Sequence, residues 1–271
     1  FKQKTAYEML RSLVGSEMCI RDSYEEAKQA YERVLEGDAR RVDALLGLSV
    51  VYERTGRLDR ALEMLQRAET IDQKHAAVLY NLGVIYDRMQ MSDKALLYYE
   101  RAVEVAPRQS DALFQLGLLY QRLGRYQDSA RRLSEAAVLS PQQADIQKAL
   151  GTVYEHLGDL DKAELALRKA QALDEKDVAM QVNLAVVLIR KKQESLAVEI
   201  LKKAALLDPS HARVFGVLGW AQLEIGEDAE AEKNLLKALE LDPSQAVARN
   251  NLAALYQRQG RKEEAKRVLG E

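Results

Sequence analysis

All four prolines of the chain fall on one lattice: Pro107, Pro141, Pro209 and Pro243 are separated by 34, 68 and 34 residues. Glycines keep the same period at Gly83, Gly117, Gly151 and Gly219. A second set, Gly56, Gly124, Gly158, Gly226 and Gly260, runs seven residues behind that column. Tyrosines form a third column at Tyr52, Tyr86, Tyr120, Tyr154 and Tyr256. Alanines add a fourth at Ala61, Ala95, Ala163, Ala197, Ala231 and Ala265, with Ser129 in the gap, and a fifth at Ala68, Ala102, Ala136, Ala170, Ala204 and Ala238. A period held this long means that one small unit is repeated and that its neighbours complete its core.

The spacing inside one period is helical. Leu113, Leu116, Gly117 and Tyr120 fall at i, i+3, i+4 and i+7, one face of a helix. Gly124 then supplies a turn in which left-handed backbone is needed and glycine adopts it at least cost. A second face follows through Ser129, Leu133, Ala136 and Val138–Leu139, and Pro141 stops it. Each unit is therefore predicted to be two antiparallel helices on a short loop. The alanine and glycine columns let helix axes approach where they cross, and the tyrosines and leucines fill the remaining volume.

These columns resemble the tetratricopeptide repeat (TPR) family, and the stretch NLGVIYDRMQMSDKALLYYERAVEVAP, Asn81 to Pro107, is close to its consensus. The resemblance covers 24–271. It implies an all-α fold, an α-solenoid of antiparallel helix pairs wound as a right-handed TPR superhelix. Departures are local. Leu188 and Gln222 replace the tyrosine; Ser49, Ala185 and Ala253 replace the first glycine; Gln90 and Lys192 replace the turn glycine. Leu188 and Ala185 share a unit, where looser helix packing is expected. The lattice gives complete units at 42–75, 76–109, 110–143, 144–177, 178–211 and 212–245, and an incomplete unit at 246–271. A lone second helix at 24–36 precedes them and is expected to fray.

Residues 1–23 share none of this pattern. FKQKTAYEMLRSLVGSEMCIRDS resembles translated sequencing-library adapters, with KQKTAYE and LVGSEMCIRDS in order and frame, and reads as a non-native tail on a fragment. The competing reading is an amphipathic leader with Leu10, Leu13, Val14 and Met18 on one face.

Composition narrows the chemistry. Lysine and arginine number 40 against 42 acidic residues, a net charge of −2, which offers no polycationic surface for nucleic acid. No apolar run approaches the ~20 residues that span a bilayer. One cysteine, Cys19, excludes a disulfide framework and paired-thiolate zinc. His75, His156 and His211 have no partner at metal-ligand spacing, and no glycine-rich phosphate loop occurs. The expectation is no cofactor, no metal and no catalytic residue, hence not an enzyme.

What remains is surface. The family resemblance implies that the first helix of each pair lines a concave groove that binds peptides. Carried over unit by unit, it places Leu46 with Val50, Tyr80 with Val84, Phe114 with Leu118, Lys148 with Thr152, Val182 with Val186, Gly216 with Trp220, and Asn250 with Ala254 in that groove. The first three pairs make an apolar, aromatic stretch that a monomer seldom exposes. Beside it run Arg54, Arg88, Arg122, Arg190 and Arg258, expected to favour an acidic partner unless they are a solvated rim. Asn81, Asn183 and Asn251, with Gln115 between, offer donors and acceptors to a peptide backbone. Trp220 is either an anchor or a filler of the space beside Gly216. The leading expectation is a non-catalytic scaffold for a protein or peptide partner. The alternatives are the accessory arm of a larger enzyme, such as a glycosyltransferase, and a homotypic module that forms homo-oligomers.

Overall fold

The computed structural model describes the backbone of residues 17–270 and the side chains of residues 23–270. Among these there are fifteen helices and no strand. The helix α1 spans Glu17–Gly37, beginning before the stretch 24–36 expected from the lattice. Residues 1–16 of the expected tail, with Leu10, Leu13 and Val14, lie outside the described residues.

Seven helix pairs follow. They are α2 (Val42–Arg54) with α3 (Leu58–Ile71), α4 (Ala76–Arg88) with α5 (Ser92–Val105), and α6 (Ser110–Arg122) with α7 (Tyr126–Leu139). Next come α8 (Ala144–His156) with α9 (Leu160–Leu173), α10 (Val178–Arg190) with α11 (Glu194–Leu207), α12 (Ala212–Glu224) with α13 (Asp228–Leu241), and α14 (Ala246–Arg258) with α15 (Lys262–Leu269). The first helices start 34 residues apart every time.

Every turn inside a pair is left-handed. Gly56, Gly124, Gly158, Gly226 and Gly260 have φ between 73° and 80°, and Gln90 and Lys192 adopt φ 60° and 61° in the same place. The amide three residues past each first helix then reaches back to a free carbonyl, as Arg57 N–H does to Tyr52 O at 2.8 Å and Met91 N–H to Tyr86 O at 2.9 Å. The left-handed residue aims those donors, and repetition forces the conformation even on residues with a Cβ.

The chain divides at Leu119–Tyr120 into two compact units. In the first, Leu45, Leu79, Leu82, Leu113 and Leu116 are fully buried. Tyr99 lies across Gly83, where an added Cβ would stand 2.5 Å from its ring carbon Cδ1. That close approach is the reason for the small-residue column. Tyr98 stacks on the buried Tyr86 at 5.4 Å, and the Tyr98 hydroxyl donates to Glu69 Oε2 at 3.0 Å. Burial, with Glu69 adding to it, raises the Tyr98 phenol to about 12.

In the second unit Leu167 and Leu235 repeat this arrangement over Gly151 and Gly219, 2.4 and 2.6 Å from the missing Cβ positions. The first helices α8, α10, α12 and α14 lie side by side in one layer, each with its second helix behind it. The departures are accommodated in two ways. Ala185 takes the glycine's place between α10 and α11, and Ala185, Leu188 and Leu201 are all fully buried. Gln222, in the tyrosine column, is 1% exposed. It donates to Glu227 Oε2 at 3.1 Å and accepts from Asn234 Nδ2 at 2.7 Å, which meets the requirement for burying an amide.

Candidate functional site

In the first unit the face of α2, α4 and α6 carries the residues chosen from the sequence. Leu46, Val50, Tyr80, Val84, Phe114 and Leu118 are each half-buried, anchored in the helix layer with one side open to solvent. Tyr80 is the best defined of them. Its ring meets that of Tyr99 at 6.0 Å and 46°, and Tyr99 in turn rests on Gly83, so a half-buried aromatic is braced by a buried one. Burial raises its phenol above the ordinary tyrosine value, and the charges of Asp111 on α6 and Glu53 on α2 add to the effect. Tyr80 thus sits as a neutral hydroxyl between two acidic neighbours.

The polar positions of this face are less open than the sequence implied. Asn81 donates to Ala77 O of its own helix at 2.8 Å, leaving its carbonyl oxygen free. Gln115 has no partner among the described residues. Arg88 binds Glu53 Oε1 at 2.7 Å, and Arg54 approaches the same carboxylate at 3.5 Å. Glu53 is 35 residues before Arg88, so the repeat itself brings the guanidinium to a carboxylate of the preceding pair.

The second unit shows the same ladder with different rungs. Arg190 binds the Glu155 side chain and its carbonyl oxygen, the latter at 3.0 Å, and Arg258 binds Asp228. His156, which interrupts the arginine column, stacks on Tyr126 at 4.6 Å and 9°. Arg88, Arg190 and Arg258 therefore staple their helix pairs to the pairs before them. Four of its members, Arg54, Arg88, Arg190 and Arg258, are ion-paired within the chain. The expected selection of an acidic partner by these guanidinia loses its basis. Arg122 is exposed at the end of α6.

Several positions in the second unit that the resemblance placed in a groove are closed. Val182 is fully buried. Gly216 faces Ala248 and Ala238, 3.6 and 3.8 Å from where its Cβ would stand, so Trp220 is not filling that space. Trp220 packs partly against the core around Val217 and Ala221, and its indole N–H donates to Glu224 Oε1 at 3.2 Å. Lys148 is held by Asp177 at 2.7 Å and Asp145 at 3.3 Å. Asp177 also caps α10 by accepting from Met180 N–H at 2.9 Å. Thr152 links to Asn183 Nδ2 at 3.4 Å, and Asn251 donates to Val247 O at 3.0 Å. What the sequence could not show is that Lys148, Thr152 and Asn183 are used to join consecutive pairs.

Among the described residues no group of three or more His, Cys, Asp or Glu converges to hold a metal, and no helix is long and apolar enough to cross a membrane.

Comparison with known families accords with this architecture. Tetratricopeptide repeat profiles match residues 21–82, 76–109, 114–178, 178–211, 212–245 and 234–267. The chain belongs to the tetratricopeptide repeat family. No curated protein matches its sequence. Among solved structures it is similar to YrrB, a TPR protein with an unusual peptide-binding site, at 21% identity and TM-score 0.61, covering 69% of this chain and 96% of that one. It is also similar to PilF of Pseudomonas aeruginosa at 20% identity and TM-score 0.66, covering 85% and 99%, and to MamA at 26% identity and TM-score 0.53, covering 60% and 95%. These likenesses concern the fold. The TPR architecture makes the chain a protein-interaction scaffold.

Proposed function

We propose that the unit ending at Leu119 binds an extended peptide across the first-helix face of α2, α4 and α6, with Tyr80 and Phe114 as anchors. The observation that supports this reading is the run of six half-buried apolar side chains on three consecutive first helices. Such a run is wide for a free surface, and each side chain is already half-buried in the layer beneath. Specificity would come from shape and apolar burial, with Gln115 and the carbonyl of Asn81 available to a peptide backbone. The arginine column contributes stability to the solenoid in this reading, and no acidic partner is required.

The test starts from a random peptide library displayed on phage and selected on the whole chain. Selected peptides should be rich in apolar and aromatic residues. Tyr80→Ala or Phe114→Ala should weaken their binding by ~1–3 kcal/mol each, in variants whose helical circular dichroism is unchanged. Selected peptides that bind both variants as well as the parent would overturn the proposal.

A further inference from the structure

The second helices of the second unit enclose a different feature. Between α7 and α9 lies an open groove of about 570 Å³, floored by the first helix α8. Its walls are apolar and unusually exposed. Val138 is 80% accessible and Leu165 57%, and Leu173 closes one end. At the floor the hydroxyls of Ser134 and Tyr154 meet at 3.2 Å, and the Lys162 ammonium stands 5.4 Å over the Tyr154 ring. Those contacts fix the groove's shape.

Charge identifies what fits it. The lining holds two lysines, Lys162 and Lys169, and no carboxylate. Lys162 is paired with Asp159 at 2.7 Å, outside the lining. Lys169 has Leu165, Ala166, Ala172 and Leu173 at the three- and four-residue spacings where a helix would place an intramolecular acid. It makes no ion pair among the described residues, whereas its groove neighbour Lys162 does. An apolar trough beside an unpaired ammonium is complementary to a helix with a leucine stripe and an acidic flank.

We infer that the groove between α7 and α9 docks an acidic amphipathic helix of a partner protein, with its apolar stripe on Val138, Leu165 and Leu173 and a carboxylate on Lys169. This site is separate from the first-helix face and does not depend on it.

The probe is a fluorescein-labelled synthetic helix with a leucine stripe and glutamate flanks, compared with a twin whose flanks are lysine. Fluorescence anisotropy is read on the whole chain. The acidic probe should bind more tightly than its twin. Val138→Glu and Leu165→Glu should each weaken it at least tenfold, and both positions are exposed enough for the fold to survive. Lys169→Glu should weaken the acidic probe about fivefold to tenfold and strengthen the lysine twin, a reversal that a loss of packing would not produce. Tyr80→Ala should leave binding intact, which separates failure of this inference from failure of the peptide-face proposal. Equal binding of the two probes, no binding of either, or no response to Lys169→Glu overturns it. So does sedimentation showing that the chain self-associates through Val138, because the occupant is then a second copy.

Discussion

The turn residues Gln90 and Lys192 carry a calculable strain. Each holds a left-handed φ near 60° that the other five turns give to glycine. A residue with a Cβ loses about 1–2 kcal/mol in that conformation. Glycine would remove the strain but adds about 0.5–1 kcal/mol of conformational freedom to the unfolded chain. The Gln90 side chain is exposed and has no hydrogen-bond partner among the described residues, so Gln90→Gly should stabilise its pair by about 0.5–1 kcal/mol. Lys192→Gly should gain slightly less. Its ammonium, on a side chain 77% exposed, lies 3.9 and 3.8 Å from Glu194 and Glu224, contacts worth a few tenths at most. Gly158→Ala is the reciprocal experiment. Nothing lies within 4 Å of the Cβ it would introduce, so its cost of about 1 kcal/mol would be backbone strain alone. Because a repeat array need not unfold in one step, the assay is native-state amide exchange at Met91 N–H and Gln193 N–H, which close the two turns. Exchange at each should slow by about twofold to fivefold in the glycine variants. Unchanged or faster exchange in Gln90→Gly, with Gly158→Ala also silent, would show that the repeat does not strain these turns.

Three further outcomes follow from the packing and charge. Gly83→Ala forces a Cβ to within 2.5 Å of Tyr99 and should lower stability by about 1–3 kcal/mol in urea unfolding; a loss below the error of the midpoint would mean that α4 and α5 separate freely. Burial pushes the Asp177 carboxyl up, but Lys148 and the Met180 amide outweigh it and hold it below its ordinary 3.8. Its contribution is therefore present above that value and lost as pH falls through the lower folded value. Asp177→Asn, which can still cap α10, should remove about 0.5–1 kcal/mol at neutral pH and flatten the acid limb of the pH–stability curve; an unchanged limb would mean that the pair with Lys148 contributes nothing. Among the described side chains of α1 only Ala27 is buried, so amides of 24–36 should exchange well before those of 145–155, and equal protection would contradict this.

Much of the architecture was legible because the repeat fixes it locally. The turn positions show why. Gln90 and Lys192 bear no turn signal of their own, yet their place in the glycine column assigned them the left-handed conformation they adopt. The glycine column was likewise readable as close helix approach, with Tyr99, Leu167 and Leu235 as the residues that require it. Alternation of large and small residues at helical spacing is a property of one unit, so one unit's sequence expresses it.

The open and closed positions of the binding face were decided between units. Val182 and Leu46 stand in the same column, but one is fully buried and the other half-open. Gly216 is closed by Ala248 and Ala238, which belong to a later first helix and to the second helix of its own pair. The arginines looked available because their partners, Glu53 for Arg88 and Glu155 for Arg190, lie 35 residues away, beyond the reach of any helical spacing rule. The α7–α9 groove likewise joins Val138 to Leu165, which stand at different positions of the repeat on two successive second helices. The chain's own periodicity determined the helices, their turns and their buried faces, since each depends on residues within one period. Exposure and charge pairing were settled only when neighbouring units met, because solvent access and Coulomb attraction depend on distances in space that a repeat of 34 residues does not encode by itself.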